Sequence, residues 1–280
     1  MNTDTALITG SSSGIGLHLA YEFAEHGHSL VLVAPVASEL DAIAIDIRGK
    51  HGVDVQTIAK DLQKPGAPGE VFDQLQNSGT WVEILVNNAG KGFRGKWMDL
   101  PIERDLEMLH LNIEAVLRLT KLFLQPMVTR GHGMILNTAS IAGFEPGPML
   151  ATYHATKAFV LSWSEALAVE LENSGVTVTA LCPGATDTDF FLKADMLSTN
   201  AFQGTNLMAP QDVAKAGYRG LMDAELFVVP GGMNKALVAA RRILSEGAQA
   251  RLNQKYYEEA PPDKQKRHRG EVEQEAGLMK

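Results

Sequence analysis

The stretch LITGSSSGIGLHLAYEFAEHG, residues 7–27, runs from an apolar segment through a glycine-rich turn into a helical pattern. Leu7–Thr9 finish a short strand that starts at Thr5, and Gly10, Gly14 and Gly16 then follow with the spacing G-x-x-x-G-x-G. This differs from the common dinucleotide fingerprint G-x-G-x-x-G, but the physics is similar. Glycines let the backbone turn sharply and come close to a pyrophosphate, and the helix opening near Gly14 directs its free N–H groups at the anion. Ser11, Ser12 and Ser13 add hydroxyl donors. Without its flanks this would be a plain glycine-rich turn. With a strand before it and a helix after it, it predicts a dinucleotide cradle.

Outward from this turn the same alternation repeats. TALIT (5–9), SLVLVA (29–34), VDVQTIA (53–59), VEILVNN (82–88), GMILNTAS (133–140), VTVTALCP (176–183) and ELFVVP (225–230) read as strands. Helical periodicity fills 14–27, 38–50, 67–77, 103–128, 152–173 and 210–222. Strands that are apolar throughout and separated by helices belong to a parallel sheet covered on both faces. The expected fold is therefore α/β: a Rossmann-type, doubly wound parallel sheet of about seven strands.

Two regions interrupt the rhythm. Residues 185–209 form a long, rather apolar connection, which reads as a lid or as a pair of short packed helices. From Asn234 onward the chain is helical in period, and beyond Pro261 it is charged and expected to be a disordered tail. The expected division is a catalytic domain over 1–232 and a C-terminal extension over 233–280.

Bulk properties narrow the function. The net charge of −8 in 280 residues argues against nucleic acid or an anionic membrane as the main partner. The basic run KQKRHR (264–269) is followed by GEVEQE and reads as part of a mixed-charge tail. No apolar run approaches the ~20 residues of a membrane span, and the N-terminus has no signal-peptide pattern. With one cysteine, Cys182, no intrachain disulfide forms, and a reducing, cytoplasmic setting is expected. The histidines show no metal-ligand spacing, so no metal site is expected.

Chemistry enters at TYHATKAFV, residues 152–160. Tyr153 and Lys157 are one helical turn apart and share a face. A free phenol has a pKa of about 10, and a cation within ~4–6 Å typically lowers it by one to three units. Lys157 is thus expected to make Tyr153 a proton donor and acceptor near neutral pH. Taken alone, such a pair is usually two solvated neighbours. Ser140 ends the preceding strand at the carboxyl edge, where open α/β sheets bind ligands, although a strand-end serine is the plain alternative. Asn112 is a polar residue in an amphipathic helix, equally readable as a satisfied core amide.

TGSSSGIG, NNAG (87–90), Asn112, Ser140, YHATK (153–157) and PG (183–184) stand in the order and spacing of the short-chain dehydrogenase/reductase family, which the chain resembles over roughly residues 5–232. The resemblance implies an NAD(P)-dependent oxidoreductase. Asn112, Ser140, Tyr153 and Lys157 would form the catalytic tetrad: the tyrosine handles the proton, the serine orients the substrate oxygen, the lysine also holds the nicotinamide ribose, and the asparagine anchors a water relay. The cofactor would lie along Gly10, Ser12, Ser13, Gly14, Ile15 and Gly16. Asp61 and Leu62 would sit at the adenine, with Asp61 as a helix N-cap the alternative. Asn88, Ala89 and Gly90 would line the ribose and backbone path, and Pro183, Gly184 and Thr188 the nicotinamide end. His154 points about 100° away from Tyr153 and is read as structural or substrate-edge.

One position departs from the pattern. Pro35 stands at the end of the second strand, where an acid would accept from a ribose 2′-OH and an arginine would pair with a 2′-phosphate. The overall resemblance leans to NADP over NAD, but these residues do not. FEPGPML (144–150) and DFFLKADML (189–197) are rich in Phe, Met, Leu and Pro and suggest an apolar pocket for a hydrophobic carbonyl compound or its alcohol. By resemblance, the helices at 103–128 and 152–173 would pair with a partner subunit in a homodimer or homotetramer. The extension from Asn234 is read as an added interface helix ahead of a membrane-surface helix. A non-catalytic, dinucleotide-binding regulator is the competing reading, and the Ser140–Tyr153–Lys157 set argues against it.

Overall fold

The computed structural model describes residues 4–204, 206–241 and 243–272. Seven strands form one sheet, β1 (Thr5–Thr9), β2 (Ser29–Ala34), β3 (Val55–Ala59), β4 (Ile84–Asn87), β5 (Gly133–Thr138), β6 (Val176–Leu181) and β7 (Phe227–Val228). All pairings are parallel, in the order β3-β2-β1-β4-β5-β6-β7. This is the doubly wound Rossmann-type sheet expected. The chain reverses its direction of travel across the sheet between β1 and β4, leaving the crevice where such folds hold ligands.

Alternation within each strand explains why the runs are apolar throughout. On β1, Ala6 and Ile8 face one core while Leu7 faces the other. The first core is closed by α1 (Gly14–Glu25), through Leu19 and Phe23, and by α9 (Pro210–Met222), through Val213 and Leu221. The second is closed by α3 (Ala67–Asn77) and α5 (Ala115–Arg130), through Val71, Leu75, Leu119 and Phe123. Fully burying a Leu or Phe contributes roughly 1.5–3 kcal/mol, so strands buried on both faces gain on each side. α2 (Ala37–His51) covers β2 and ends at Gly52, whose φ of 67° is the left-handed turn that glycine adopts without strain.

The predicted helix at 103–128 is interrupted. α4 (Ile102–Leu109) passes into a π-turn over His110–Glu114 before α5 begins. The long connection after β6 contains two short helices, α7 (Asp189–Lys193) and α8 (Asn200–Gln203). Beyond β7 lie α10 (Gly232–Arg241) and α11 (Glu246–Tyr257).

The segment after Pro261 differs from the solvated tail that its composition suggested. Arg267 donates to the carbonyl of Phe202 at 2.8 Å, and Arg269 pairs with Asp189 at 3.2 Å. Asp187, fully buried, accepts from the N–H groups of Gly270 and Val272, both at 3.1 Å. Sequence charge signalled solvation, but these charges find partners on the connection after β6. Residues 273–280 of the expected tail lie outside the described residues.

Candidate active site

The glycine turn is built to admit something close to its backbone. Gly10 and Gly14 have φ of 66° and 55°, and the N–H of Gly10 donates to the carbonyl of Val33 at 2.8 Å. A Cβ on Gly16 would stand 2.2 Å from the Gly10 carbonyl oxygen and 2.4 Å from Asn88 Nδ2. Asn88 in turn donates from Nδ2 to Thr9 O at 3.0 Å and takes its backbone N–H to Thr9 Oγ1 at 2.9 Å, tying the end of β4 to the turn. Of the three serines, Ser11 is buried and turns its hydroxyl to Val33 O, so it offers the cradle no donor. Ser12 and Ser13 line the cleft with Gly10, Gly14 and Ile15.

That cleft is one continuous chamber of about 1280 Å³. A single drug-sized ligand fills ~300–1,000 Å³, so this space suits a dinucleotide and a second molecule beside it. Asp61, Leu62, Asn88, Ala89 and Gly90 line it, as do Pro183, Gly184 and Thr188. Asp61 Oδ1 accepts from the N–H of Gln63 at 3.1 Å, a local turn that fixes its carboxylate. Thr188 caps α7 through Phe190 N, and a Cβ on Gly14 would meet its methyl carbon at 3.1 Å.

Ser140, Tyr153 and Lys157 come together in the same wall, at the carboxyl end of β5 and the first turns of α6 (Ala151–Glu170). Ser140 Oγ accepts from the N–H of Ala142 at 3.1 Å and donates to Pro183 O at 3.3 Å. The Tyr153 ring leans on Phe190, with centroids 5.1 Å apart. Lys157 Nζ donates to Thr138 O at 2.7 Å and stands 5.8 Å from the Tyr153 ring centroid.

Electrostatics here departs from the expectation drawn from spacing. Burial pushes the Tyr153 phenol up to about 12, opposed by the influence of the Ser140 side chain. Burial also pulls the Lys157 ammonium down to about 8. The i, i+4 spacing correctly places the two on one face, but it is silent about desolvation, which disfavours the charged form of each. Tyr153 is therefore a held proton and not a poised phenolate.

Asn112 lies in the π-turn and is buried. Its Oδ1 accepts from Lys91 N at 3.0 Å, and its Nδ2 donates to Lys91 O at 2.9 Å and to Thr156 Oγ1 at 3.1 Å. A Cβ on Gly90 would lie 3.4 Å from Asn112 Oδ1 and 3.5 Å from Lys157 Nζ, so these two meet across that glycine. π-turns occur frequently at functional sites because the widened turn re-aims a side chain.

This arrangement of a glycine cradle with a Ser–Tyr–Lys wall matches a known family. The family model for short chain dehydrogenases matches residues 4–198. The chain belongs to the short-chain dehydrogenase family. Among curated members it is 40% identical over 179 residues to the very-long-chain 3-oxoacyl-CoA reductase of Pyrenophora tritici-repentis, covering 62% of this chain and 52% of that protein. The chain thus spans about half the length of the curated relatives it matches. Among solved short-chain dehydrogenases, one from Sphingobium yanoikuyae in complex with NADPH is 35% identical, with a TM-score of 0.77 over 85% of this chain and 93% of that one. The bulky-bulky ketone specific alcohol dehydrogenase from Comamonas testosteroni is 31% identical, with a TM-score of 0.73 over 87% of this chain and 93% of that one.

Sequence reasoning missed Glu145, Arg241 and Tyr257 at the site, and gave His154 no partner. Arg241 pairs with Glu145, both largely buried, and donates to Ile141 O at 2.8 Å. His154 Nδ1 lies 2.8 Å from Glu145 O, and Nε2 lies 2.8 Å from Tyr257 Oη. A carbonyl only accepts, so Nδ1 carries the hydrogen and the Tyr257 hydroxyl donates to Nε2. Burial lowers the His154 pKa and keeps the ring neutral. The contacts made by Arg241 and Tyr257 reach across about a hundred residues, and no local spacing announces them.

The cradle yields a direct test. Gly16→Ala is expected to lower stability by about 1–3 kcal/mol, the usual cost of overpacking, because the Gly10 carbonyl and Asn88 must both retreat. Urea denaturation reads this loss, and an unchanged midpoint would contradict the close approach.

Proposed function

We propose that this chain is an NADP-dependent reductase of apolar ketones, working reversibly on the corresponding secondary alcohols. The observation that carries this is the gathering of Ser140, Tyr153 and Lys157 on one wall of the chamber that begins at the glycine cradle. When bound, the reduced nicotinamide supplies the hydride. Ser140 holds the carbonyl oxygen, and Tyr153 gives that oxygen its proton, so that oxygen and carbon each gain one hydrogen. Lys157 stabilises the phenolate left behind, which recovers its proton from solvent. The cradle fits the cofactor, since its backbone approach is closed to any side chain at Gly16. The relatives support the substrate class: one is named for 3-oxoacyl-CoA reduction, and one structure for bulky ketones. Following absorbance at 340 nm with NADPH and a bulky apolar ketone tests the reading, and no oxidation of NADPH across a broad ketone panel would overturn it.

Lys60 supports NADP over NAD. Its N–H donates to Ala34 O at 2.9 Å, which sets it beside Pro35, and all three residues line the chamber. It offers the cation that Pro35 does not, although Glu70 Oε2 holds its Nζ at 2.5 Å. A 2′-phosphate calls for such a partner. Lys60→Glu is expected to weaken NADPH binding at least tenfold and NADH binding less than threefold, measured by fluorescence titration. Equal effects on the two would remove Lys60 from this role.

The homo-oligomer expected from the resemblance is supported by apolar side chains left exposed on α4 and α6, among them Ile102, Leu106, Phe159 and Val169. Sedimentation velocity tests it. Among the described residues, no helix is long and apolar enough to cross a membrane.

A further inference from the structure

Ser140 stands just past β5 and Tyr153 in the first turn of α6, so residues 141–152 between them set how the two hydroxyl groups meet. This stretch does not hold its shape by local bonding alone. Met149 sits at φ 71°, a left-handed conformation that residues other than glycine keep only where their surroundings impose it. Those surroundings come from distant parts of the chain. Gly95 N donates to Met149 O at 2.9 Å, and Asn253 Nδ2 donates to Pro146 O at 2.8 Å. On the helix side, a Cβ on Gly143 would come within 2.8 Å of Lys157 O, so the stretch lies directly on α6.

His154 joins that stretch to the helix that carries Tyr153 and Lys157. Its ring, 2% exposed, lies on Gly147, where an added Cβ would meet it at 2.1 Å. Nδ1–H donates to Glu145 O at 2.8 Å, and Nε2 accepts from the Tyr257 hydroxyl at 2.8 Å. Tyr257, the last residue of α11, is itself held at its carbonyl by Arg94 Nε at 2.8 Å. A donor at Nε2 leaves the ring hydrogen on Nδ1 and so keeps the bond to Glu145. Two apolar side chains would fill this space without fixing a direction, whereas the two hydrogen bonds allow the ring one orientation and one tautomer. The proton and hydride transfers described above use neither residue.

We infer that Tyr257 is a positioning residue for the reaction: through His154 it pins residues 141–152 against the first turn of α6 and so fixes the Tyr153 hydroxyl relative to Ser140. This rests on the carbonyl-reduction reading above. Tyr257 also borders the chamber, but the two roles separate kinetically. A side chain that only touches the ketone changes KM, while one that aims the proton donor changes the rate at which bound ketone reacts.

Tyr257→Phe removes only the hydroxyl and keeps the ring in its apolar cluster with Phe191 and Phe202. In this variant kcat for ketone reduction is expected to fall about 10- to 100-fold, the scale of a small misplacement of a reacting group. The ketone KM and the NADPH Kd are expected to stay within about threefold. In a Tyr153→Phe background the same change is expected to lower kcat less than about threefold further, because the proton it aims is already gone. A simple loss of folded protein would instead lower both backgrounds alike. A rise in KM with kcat kept, or equal losses in the two backgrounds, overturns the inference. If Tyr257→Phe folds poorly, His154→Gln, whose amide oxygen reaches Tyr257, is compared with His154→Leu. The glutamine variant is expected to keep at least about threefold more of kcat, and equal losses overturn the inference. Hydrogen exchange read by mass spectrometry needs no turnover. Amides of residues 142–150 are expected to exchange at least about tenfold faster in Tyr257→Phe, with those of β1 and α1 unchanged. Unchanged protection at 142–150 overturns the positioning role. Faster exchange there in a protein that reduces no ketone upholds the hold of Tyr257 on this stretch, and the reductase reading alone fails.

Discussion

Tyr153→Phe is expected to lower ketone reduction by a factor of about 10³, within the 10²–10⁴ that a positioned general acid contributes, while NADPH affinity stays within about threefold. The substitution removes one oxygen and keeps the ring that packs on Phe190. Ser140 retains its contacts with Ala142 and Pro183, so the wall stays formed while its proton donor is gone. Stopped-flow measurement of NADPH oxidation reads the chemical step, and near-normal turnover would overturn the assignment. The pH profile of the wild type follows from the same site. With the phenol at about 12, Tyr153 stays protonated from pH 6 to 9 and does not limit reduction. Lys157 does: its cation is present below about 8 and lost above it. Reduction is therefore expected to be flat up to about pH 8 and to fall above it.

Lys157→Met is expected to abolish useful turnover and to make the protein more stable at neutral pH. A lysine whose folded-state pKa is about 8, against about 10.4 when unfolded, binds fewer protons folded than unfolded between those values. The penalty for burying its charge is thus fully present below about pH 8 and is relieved as pH rises towards about 10.4, by roughly 3 kcal/mol in all. Methionine carries no such penalty. It leaves Thr138 O without its donor, a loss of about 1–3 kcal/mol, so the net gain at pH 7 is expected to be about 1 kcal/mol, or roughly 2–4 °C in Tm. Thermal scans at pH 7 and pH 10 separate the contributions. The wild type should gain on the variant as pH rises, and parallel behaviour would show that Lys157 is not buried as a strained cation.

The parts of the molecule that sequence could announce are those encoded over short spans. Strand runs such as SLVLVA, the glycines at 10, 14 and 16, and the Tyr153–Lys157 spacing each lie within a few residues, and the sheet order then carries Ser140 to the same wall. What spacing could not convey was solvent exclusion, and so the phenol's pKa moved opposite to the direction expected from its neighbour's charge. The anchors of the C-terminal helices were illegible for another reason. Glu145–Arg241 and His154–Tyr257 join positions about a hundred residues apart, and nothing in the residues around either partner points to the other. The charged stretch around Arg267 and Arg269 misled in the same way, since composition records charge but not the acceptors that meet it.

The brevity of β7 governs how copies of this chain can assemble. An outermost strand of two residues offers an incoming chain almost no ladder to extend, and short edges are one way proteins resist such growth. At the far side of the sheet, Arg48 already occupies the carbonyl of Val55. Growth of the sheet by strand addition is thereby discouraged at both margins.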